Sequence, residues 1–556
     1  MQRPRTWLIA AAALGLWLTA GFFLVPELLE AIYRSNAVPL LSQQPLSFFL
    51  EQWREIVLFG GAAAVAVALS MRALRDPTLS HRLVPDARPS DLGAVRILVA
   101  GILLASTLWE DPGSTAALPD GLRNPPGVMH FLARLPGYEA LAGSAIALEA
   151  FGWLTSLVLL CAMIGWKSRL SVPLGAILYL LLGGWLRQYA WFYHTGLIPL
   201  YLLAVLSFLP SGEGLSLDRL LRRRGGDRPA ADVPSRRFGW ARYAVWTALA
   251  LPYVAAGLSK LRNGGLTWWD ASNFKYILFQ SVLRPMEFDF QFSLGLASAP
   301  DWLFEAMAIA ALLGELLYAL VLVSRRARWV IPIAMLLMHL SILFLQNILF
   351  FDLILLQAIY WNFRPLLSRL PLPAGIAGPH PTSGRPGGAL RAPQFAGGEM
   401  GGGALRAMAR KGRRATEAVL VVLTVCWVFR VEYYPLTAMQ MFSSRQSEPL
   451  VYEIALARTA AGDVVRAPIE DSIGAMSDSR YRRVLQMAFD EERQALAGAV
   501  MEAVVRRWND TAEAEREILS IEIQRWEWLY LAEPSDPDHG RLTDRVVYSF
   551  DGTAEP

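Results

Sequence analysis

Ala248-Leu-Ala-Leu-Pro-Tyr-Val-Ala-Ala-Gly-Leu-Ser-Lys-Leu261 is a nearly unbroken apolar run that closes on one lysine, Lys260. It passes into a tryptophan-bearing loop, Gly264-Gly-Leu-Thr-Trp-Trp-Asp270. Such a run belongs in hydrocarbon or in a closed core. A lysine at its end either snorkels toward lipid headgroups or lies inside the protein, where a neutral amine can act as a base.

Working outward, apolar runs of similar length recur along the whole chain. The composition is 54% hydrophobic and only 18% charged. Runs of about 17–25 apolar residues match a hydrocarbon core of roughly 30 Å. They predict an all-α polytopic membrane bundle of about eleven transmembrane helices. The expected spans are Trp7–Leu28, Ile56–Leu74, Leu92–Leu108, Ile146–Trp166, Val172–Leu186, Thr195–Leu209, Tyr243–Lys260, Leu303–Val323, Val330–Leu345, Ile348–Asn362 and Ala415–Val431. The first resembles a signal peptide but is long for one and lacks a clear cleavage site, so it is read as an uncleaved span. Only Gln346 and Asn347 part the ninth from the tenth, which form either a tight hairpin or one bent helix.

Charge is segregated. The segments Arg72–Arg88, Lys167–Arg169, Arg219–Arg242, Arg325–Arg328 and Arg406–Arg414 all fall on one side of an eleven-span topology. The positive-inside rule puts them, and the N-terminus, in the cytoplasm. The segment after Tyr434 then lies outside; it holds about 22 acidic and about 13 basic residues, the opposite balance. A multi-pass protein of a bacterial inner membrane is expected. The Arg219–Arg224 run is explained by topology and anionic lipid, not nucleic acid. Cys161 and Cys426 both sit in apolar runs, so neither a disulfide framework nor a metal site is expected.

The expected organisation is a two-span N-terminal extension (1–90), a transmembrane core (91–365), a cytoplasmic Gly/Pro/Arg-rich linker (366–414), a last transmembrane helix (415–435) and a small extracytoplasmic α+β domain (436–556). In that domain Tyr452–Val465 reads as two strands around a glycine turn, Ser479–Trp508 as a helix and Ile518–Trp528 as a strand.

Ionisable groups inside spans are costly and call for a reason. Glu315 and His339 each fall near mid-membrane on helices joined by the short turn Ser324–Trp329, so a Glu315–His339 pair is expected. His194, Lys260, Asn347 and Asp352 are expected to form a wetter rim above it, with Arg187 nearby. Each also has a plainer reading. Lys260 can be an anchor, His194 part of an aromatic belt with Trp191 and Tyr193, and Glu315 with His339 a helix-to-helix link.

These residues carry a resemblance. Tyr253-Val-Ala-Ala-Gly-Leu-Ser-Lys-Leu261 followed by Trp268-Trp269 resembles the signature of the vitamin K-dependent γ-carboxylase-like family, whose membrane part is called the HTTM domain. Arg96-Ile-Leu-Val-Ala-Gly, Trp191-Phe-Tyr-His-Thr-Gly-Leu-Ile-Pro-Leu200, Ser216-Leu-Asp218, Glu315, Met338-His-Leu340, Asn347 and Phe350-Phe351 follow the family's order over roughly half of the chain. The resemblance implies a membrane lyase acting through reduced vitamin K, a menaquinol-like quinol, with oxygen and carbon dioxide as co-substrates and no metal. It implies Lys260 as the base on the quinol and His194 as the group that positions or stabilises the substrate carbanion. Glu315, His339, Asn347, Trp268, Trp269 and Arg187 would shape the cavity. The expected partners are membrane lipid or quinone and an extracytoplasmic protein substrate or partner. The chain departs from the animal carboxylases in its short exported region, the lack of an exported cysteine, the extra N-terminal spans and the Gly/Pro linker. The alternative is a non-catalytic HTTM scaffold that binds or transports a lipid or small molecule, with the tail docking a partner.

Overall fold

The computed structural model describes residues 12–35, 44–190, 194–224, 232–284, 288–361, 402–536 and 538–550. The fold is mostly helical, and among the described residues seven helices are long and apolar enough to cross a membrane. They are α1 (Ala12–Ser35), α2 (Leu46–Arg75), α3 (Pro89–Trp109), α4 (Ala145–Ile164), α5 (Ser168–Arg187), α7 (Arg236–Gly264) and α10 (Ala327–Gln346). The protein is therefore a membrane protein. Backbone polar groups have no water to bond within hydrocarbon, so helices are the form such runs must take.

The remaining expected spans take other forms. The sixth is α6 (Leu197–Ser207), 11 residues and roughly 17 Å, about half a hydrocarbon core. The eighth is α9 (Asp301–Leu317), interrupted at Tyr318 before one more turn at Leu320–Val323. The tenth is short among the described residues. Asn347 ends α10 in a left-handed conformation (φ 56°), and α11 (Phe351–Leu356) with the tighter turn Gln357–Tyr360 that follows it reaches only about 15 Å. The last helix, α12 (Gly402–Val428), begins well before the expected Ala415. Residues 402–414 of the expected linker are thus helical; the rest of the linker lies outside the described residues.

The two ends of the bundle differ. At one end arginines cap carbonyls: Arg96 donates to Leu215 O at 2.6 Å and Arg242 to Trp361 O at 2.9 Å. At the other end the C-terminal region docks. Helix α7 is the axis of the bundle, buried along most of its length. The N-terminal hairpin is tied to it through Glu55, which accepts from Arg262 at 3.1 Å and from Arg430 at 2.6 Å. The outer faces of α1 and α2 leave Leu16, Phe23 and Leu58 exposed, as a lipid-facing surface requires.

After α12 comes a two-residue-strand hairpin, β1 (Glu432–Tyr433) and β2 (Leu436–Thr437). Its Tyr434 hydroxyl donates to Leu180 O on α5 at 2.6 Å. The C-terminal region is a four-stranded antiparallel sheet in the order β4-β3-β5-β6. Its strands are β3 (Leu450–Thr459), β4 (Val464–Arg466), β5 (Ile518–Trp528) and β6 (Arg541–Ser549). The hairpin β3–β4 and strand β5 stand where the alternation placed them, whereas β6 was not foreseen. The expected single helix is two, α13 (Asp478–Met487) and α14 (Gln494–Asn509). The sheet leans on α8 (Ala271–Val282), where Phe279 meets Trp528 at 5.3 Å and the Tyr530 hydroxyl donates to Ser272 O at 2.9 Å. Arg480, fully buried, reaches Glu110 beyond the end of α3 at 2.8 Å.

Candidate functional site: a buried lysine–glutamate pair over a tyrosine stack

Lys260 does not snorkel. It is 4% exposed, and its Nζ donates to both carboxylate oxygens of Glu315 at 2.8 Å. A small residue makes this meeting feasible. A Cβ built on Gly257 would come within 3.0 Å of Leu316 and 3.2 Å of the Glu315 Cβ, so α7 and α9 approach closely just one turn before the lysine. Trp268 closes the other side, its ring centroid 5.4 Å from Nζ and its indole N–H donating to Phe442 O at 2.8 Å. Trp269 is half-buried at the edge of the same cluster.

One layer down the same face of α7 lies Tyr253, seven residues before Lys260 and so nearly in line with it. Its ring stacks on Tyr318 with centroids 4.2 Å apart and planes 12° apart. Its hydroxyl meets His339 Nε2 at 2.8 Å and accepts from Gln357 Nε2 at 2.9 Å. Tyr318 donates to Gln357 Oε1 at 2.7 Å. The expected Glu315–His339 pair is therefore absent. Glu315 is the counter-ion of Lys260, and His339 belongs to the tyrosine layer. The break at Tyr318 that ends α9 lets that ring turn inward.

The expected rim does not form one shell either; each member has its own partners. His194 meets Thr437 Oγ1 at 2.9 Å, with Glu432 Oε2 at 3.7 Å, both on the β1–β2 hairpin. Asp352 accepts the Gly196 N–H at 3.0 Å, joining the start of α6 to the first turn of α11. Gly196 has φ 79°, and a Cβ there would strike the Tyr179 hydroxyl at 2.3 Å, so only glycine serves. Asn347 Oδ1 accepts the Phe290 N–H at 2.9 Å and pins a returning loop. Arg187 donates to Gly183 O at 2.9 Å and to Thr195 O, with its guanidinium 5.1 Å from the Tyr434 ring centre.

The β1–β2 hairpin links the two regions. Thr437 holds His194, while the adjacent Ala438 carbonyl lies 3.4 Å from Ser259 Oγ, next to Lys260. Sequence reasoning gave no role to Tyr253, Tyr318, Gln357, Glu432 or Thr437. The first three were legible as polar groups inside apolar runs. Glu432 and Thr437 act from beyond the last span, and no local pattern marks them.

Among the described residues, three buried polar atoms on α10 and its end have no partner: His339 Nδ1, Gln346 Oε1 and Asn347 Nδ2. His339 and Gln346 are seven residues apart and share a helical face. A cavity of about 690 Å³ between α2, α7 and α12 is lined by Phe59, Ala66, Leu251, Leu258, Leu420 and Trp427. It faces the side of α7 opposite Lys260.

A family model for the HTTM domain matches residues 86–365, half of the chain. No curated protein and no solved structure matches it.

Proposed function

We propose, from the premise that this chain belongs to the HTTM-domain family, that it is a membrane enzyme of the vitamin K-dependent carboxylase-like type. The observation that carries this reading is the Lys260–Glu315 contact, an ion pair buried among apolar side chains beside Trp268. A carboxylate gripping an amine by both oxygens can take up the proton that the amine releases. The pair can then switch between ammonium–carboxylate and amine–carboxylic acid without changing its net charge, and in the second form the amine is a base. Exclusion of water keeps that proton from bulk solvent.

The unpartnered His339 Nδ1, Gln346 Oε1 and Asn347 Nδ2 are the groups suited to hold a menaquinol-like quinol. Such a quinol, with oxygen, supplies the strong base needed to remove a carbon-bound proton, as in the carboxylases this family resembles, where carbon dioxide then adds. In this chain Glu315 would hold the proton that Lys260 releases, and the neutral Lys260 would then accept and keep the quinol's proton. Trp268 and the tyrosine layer would keep water away. His194, fixed by Thr437, would face the substrate at the tail end of the bundle. The segregation of arginines supports placing the N-terminus in the cytoplasm and the C-terminal domain outside a bacterial inner membrane.

A second reading is that of a non-catalytic scaffold for a lipid or small molecule, with the tail docking a protein partner. The same ion pair favours it to the extent that a charge-neutral pair can simply join α7 to α9. The test is purified protein in detergent with reduced vitamin K and oxygen, assayed for the epoxide. Epoxide formation that falls by about 10²-fold or more in Lys260→Met supports the base assignment. A Lys260→Met protein as active as the parent refutes it.

A further inference from the structure

We infer a binding site for an anionic glycerophospholipid at the arginine-rich end of the bundle, far from the lysine pair. A cavity of about 900 Å³ opens between the α4–α5 turn, the end of α6, the start of α7 and the first turns of α12. Such a volume is of the size that accommodates a molecule rather than a water or two.

Its charges are unequal in a specific way. Two acids line it, and both are engaged. Glu213 is bound by Arg237. Asp218 accepts from the backbone N–H groups of Lys167 at 2.7 Å and Ser168 at 2.8 Å, and from Ser168 Oγ at 2.6 Å. Lys167, Arg169, Arg222 and Lys411 also line it, and among the described residues none of these four has an acidic ion-pair partner; Arg222 donates only to the Asp218 backbone carbonyl, at 3.3 Å. The lining therefore holds five cations against two carboxylates, an excess of positive charge around a polar floor.

Its walls identify what kind of anion. Leu170, Phe208 and Leu221 line the same space and are 68%, 64% and 46% exposed. Leu170 lies in the first turn of α5, Phe208 directly after α6 and Leu221 on the short helix Leu217–Arg224. A soluble anion has no use for an apolar wall, whereas a glycerophospholipid places its phosphate among the cations and its first acyl carbons against Leu170 and Phe208. Basic pockets between helix ends are a recurrent way of holding anionic lipid headgroups. The remaining wall is α12, through Lys411 and Gly412, so an occupant would tie the last helix to α5 and α6.

The experiment uses the full chain in nanodiscs of phosphatidylcholine with increasing phosphatidylglycerol, read by native mass spectrometry for retained lipid and by thermal unfolding. Preferential retention of phosphatidylglycerol is expected, together with a higher unfolding midpoint. In Lys167→Gln/Arg169→Gln/Lys411→Gln the preference should fall about tenfold or more, while the midpoint in pure phosphatidylcholine stays unchanged. A charge-keeping control, Lys167→Arg/Arg169→Lys/Lys411→Arg, should retain most of the preference. Should the triple glutamine variant misfold, Arg169→Gln alone carries the test, with a several-fold loss expected. Equal retention of the two lipids, an unaltered preference in the glutamine variants, or the same stabilisation by millimolar inorganic phosphate in place of lipid would each overturn the assignment.

Discussion

Breaking the Lys260–Glu315 pair from one side should cost far more than removing it whole. The side chains are 5% and 11% exposed, so solvent screens the contact little. At 2.8 Å and an effective dielectric constant near 20, Coulomb attraction is on the order of 6 kcal/mol. Dehydrating each ion costs several kcal/mol, so the intact pair is close to break-even against an apolar replacement. Lys260→Met leaves a buried carboxylate without its counter-charge, and Glu315→Leu leaves a buried ammonium. Each should destabilise the protein by about 3–5 kcal/mol. The double variant Lys260→Met/Glu315→Leu should recover most of that loss. Thermal unfolding in one detergent, followed by tryptophan fluorescence, measures all four corners of the cycle. Singles within about 1 kcal/mol of the parent, or a double variant as unstable as the sum of the singles, would refute the buried-pair account.

Gly257→Val forces its branched side chain against Leu316 and the Glu315 Cβ, where even one Cβ stands 3.0–3.2 Å away. It should cost about 1–3 kcal/mol by overpacking and lengthen the Lys260–Glu315 contact, so the same melt should show a lower midpoint and the epoxide assay a lower rate. His539 gives the C-terminal domain an acid-sensitive element. Burial edge-on against Trp528 pushes its imidazole below the ordinary value of 6.5, opposed by Asp536 and Asp538. The fold prefers the neutral ring, so this contribution is complete above about 6.5 and is lost as pH falls below it. His539→Phe should show a smaller fall in midpoint between pH 7.5 and 5.5 than the parent, and an equal or larger fall would contradict the assignment.

Apolar run length made the membrane class readable, and the seven long helices stand on it. Length failed where chain polarity and a bend compete. Ile348–Asn362 is apolar enough for a span, yet Asn347 turns the chain and Asp352 anchors the next helix to Gly196, so the segment stops short. Helical depth placed Glu315 and His339 at similar levels but could not give their rotation about the helix axes. Glu315 turns to Lys260, and His339 turns to Tyr253, because both partners lie on one face of α7. In the C-terminal domain, alternation revealed β5, whose core-facing side chains are buried. It missed β6, an edge strand exposed along most of its length that therefore carries little apolar alternation.

The hairpin after the last helix alters what the two candidate centres mean for each other. Had His194 and Lys260 touched, one local site would suffice and the C-terminal region could be an accessory. Instead, His194 is held by Thr437 and Glu432, and Ser259 by the next carbonyl along, while Tyr434 anchors the turn on α5. Moving the hairpin must disturb the histidine and the helix turn that bears the lysine together. The C-terminal sheet in turn is seated on α8, directly after the loop that supplies Trp268. A ligand on the C-terminal sheet thus has two short mechanical routes to Lys260, through Thr437–Ala438 and through Phe442–Trp268.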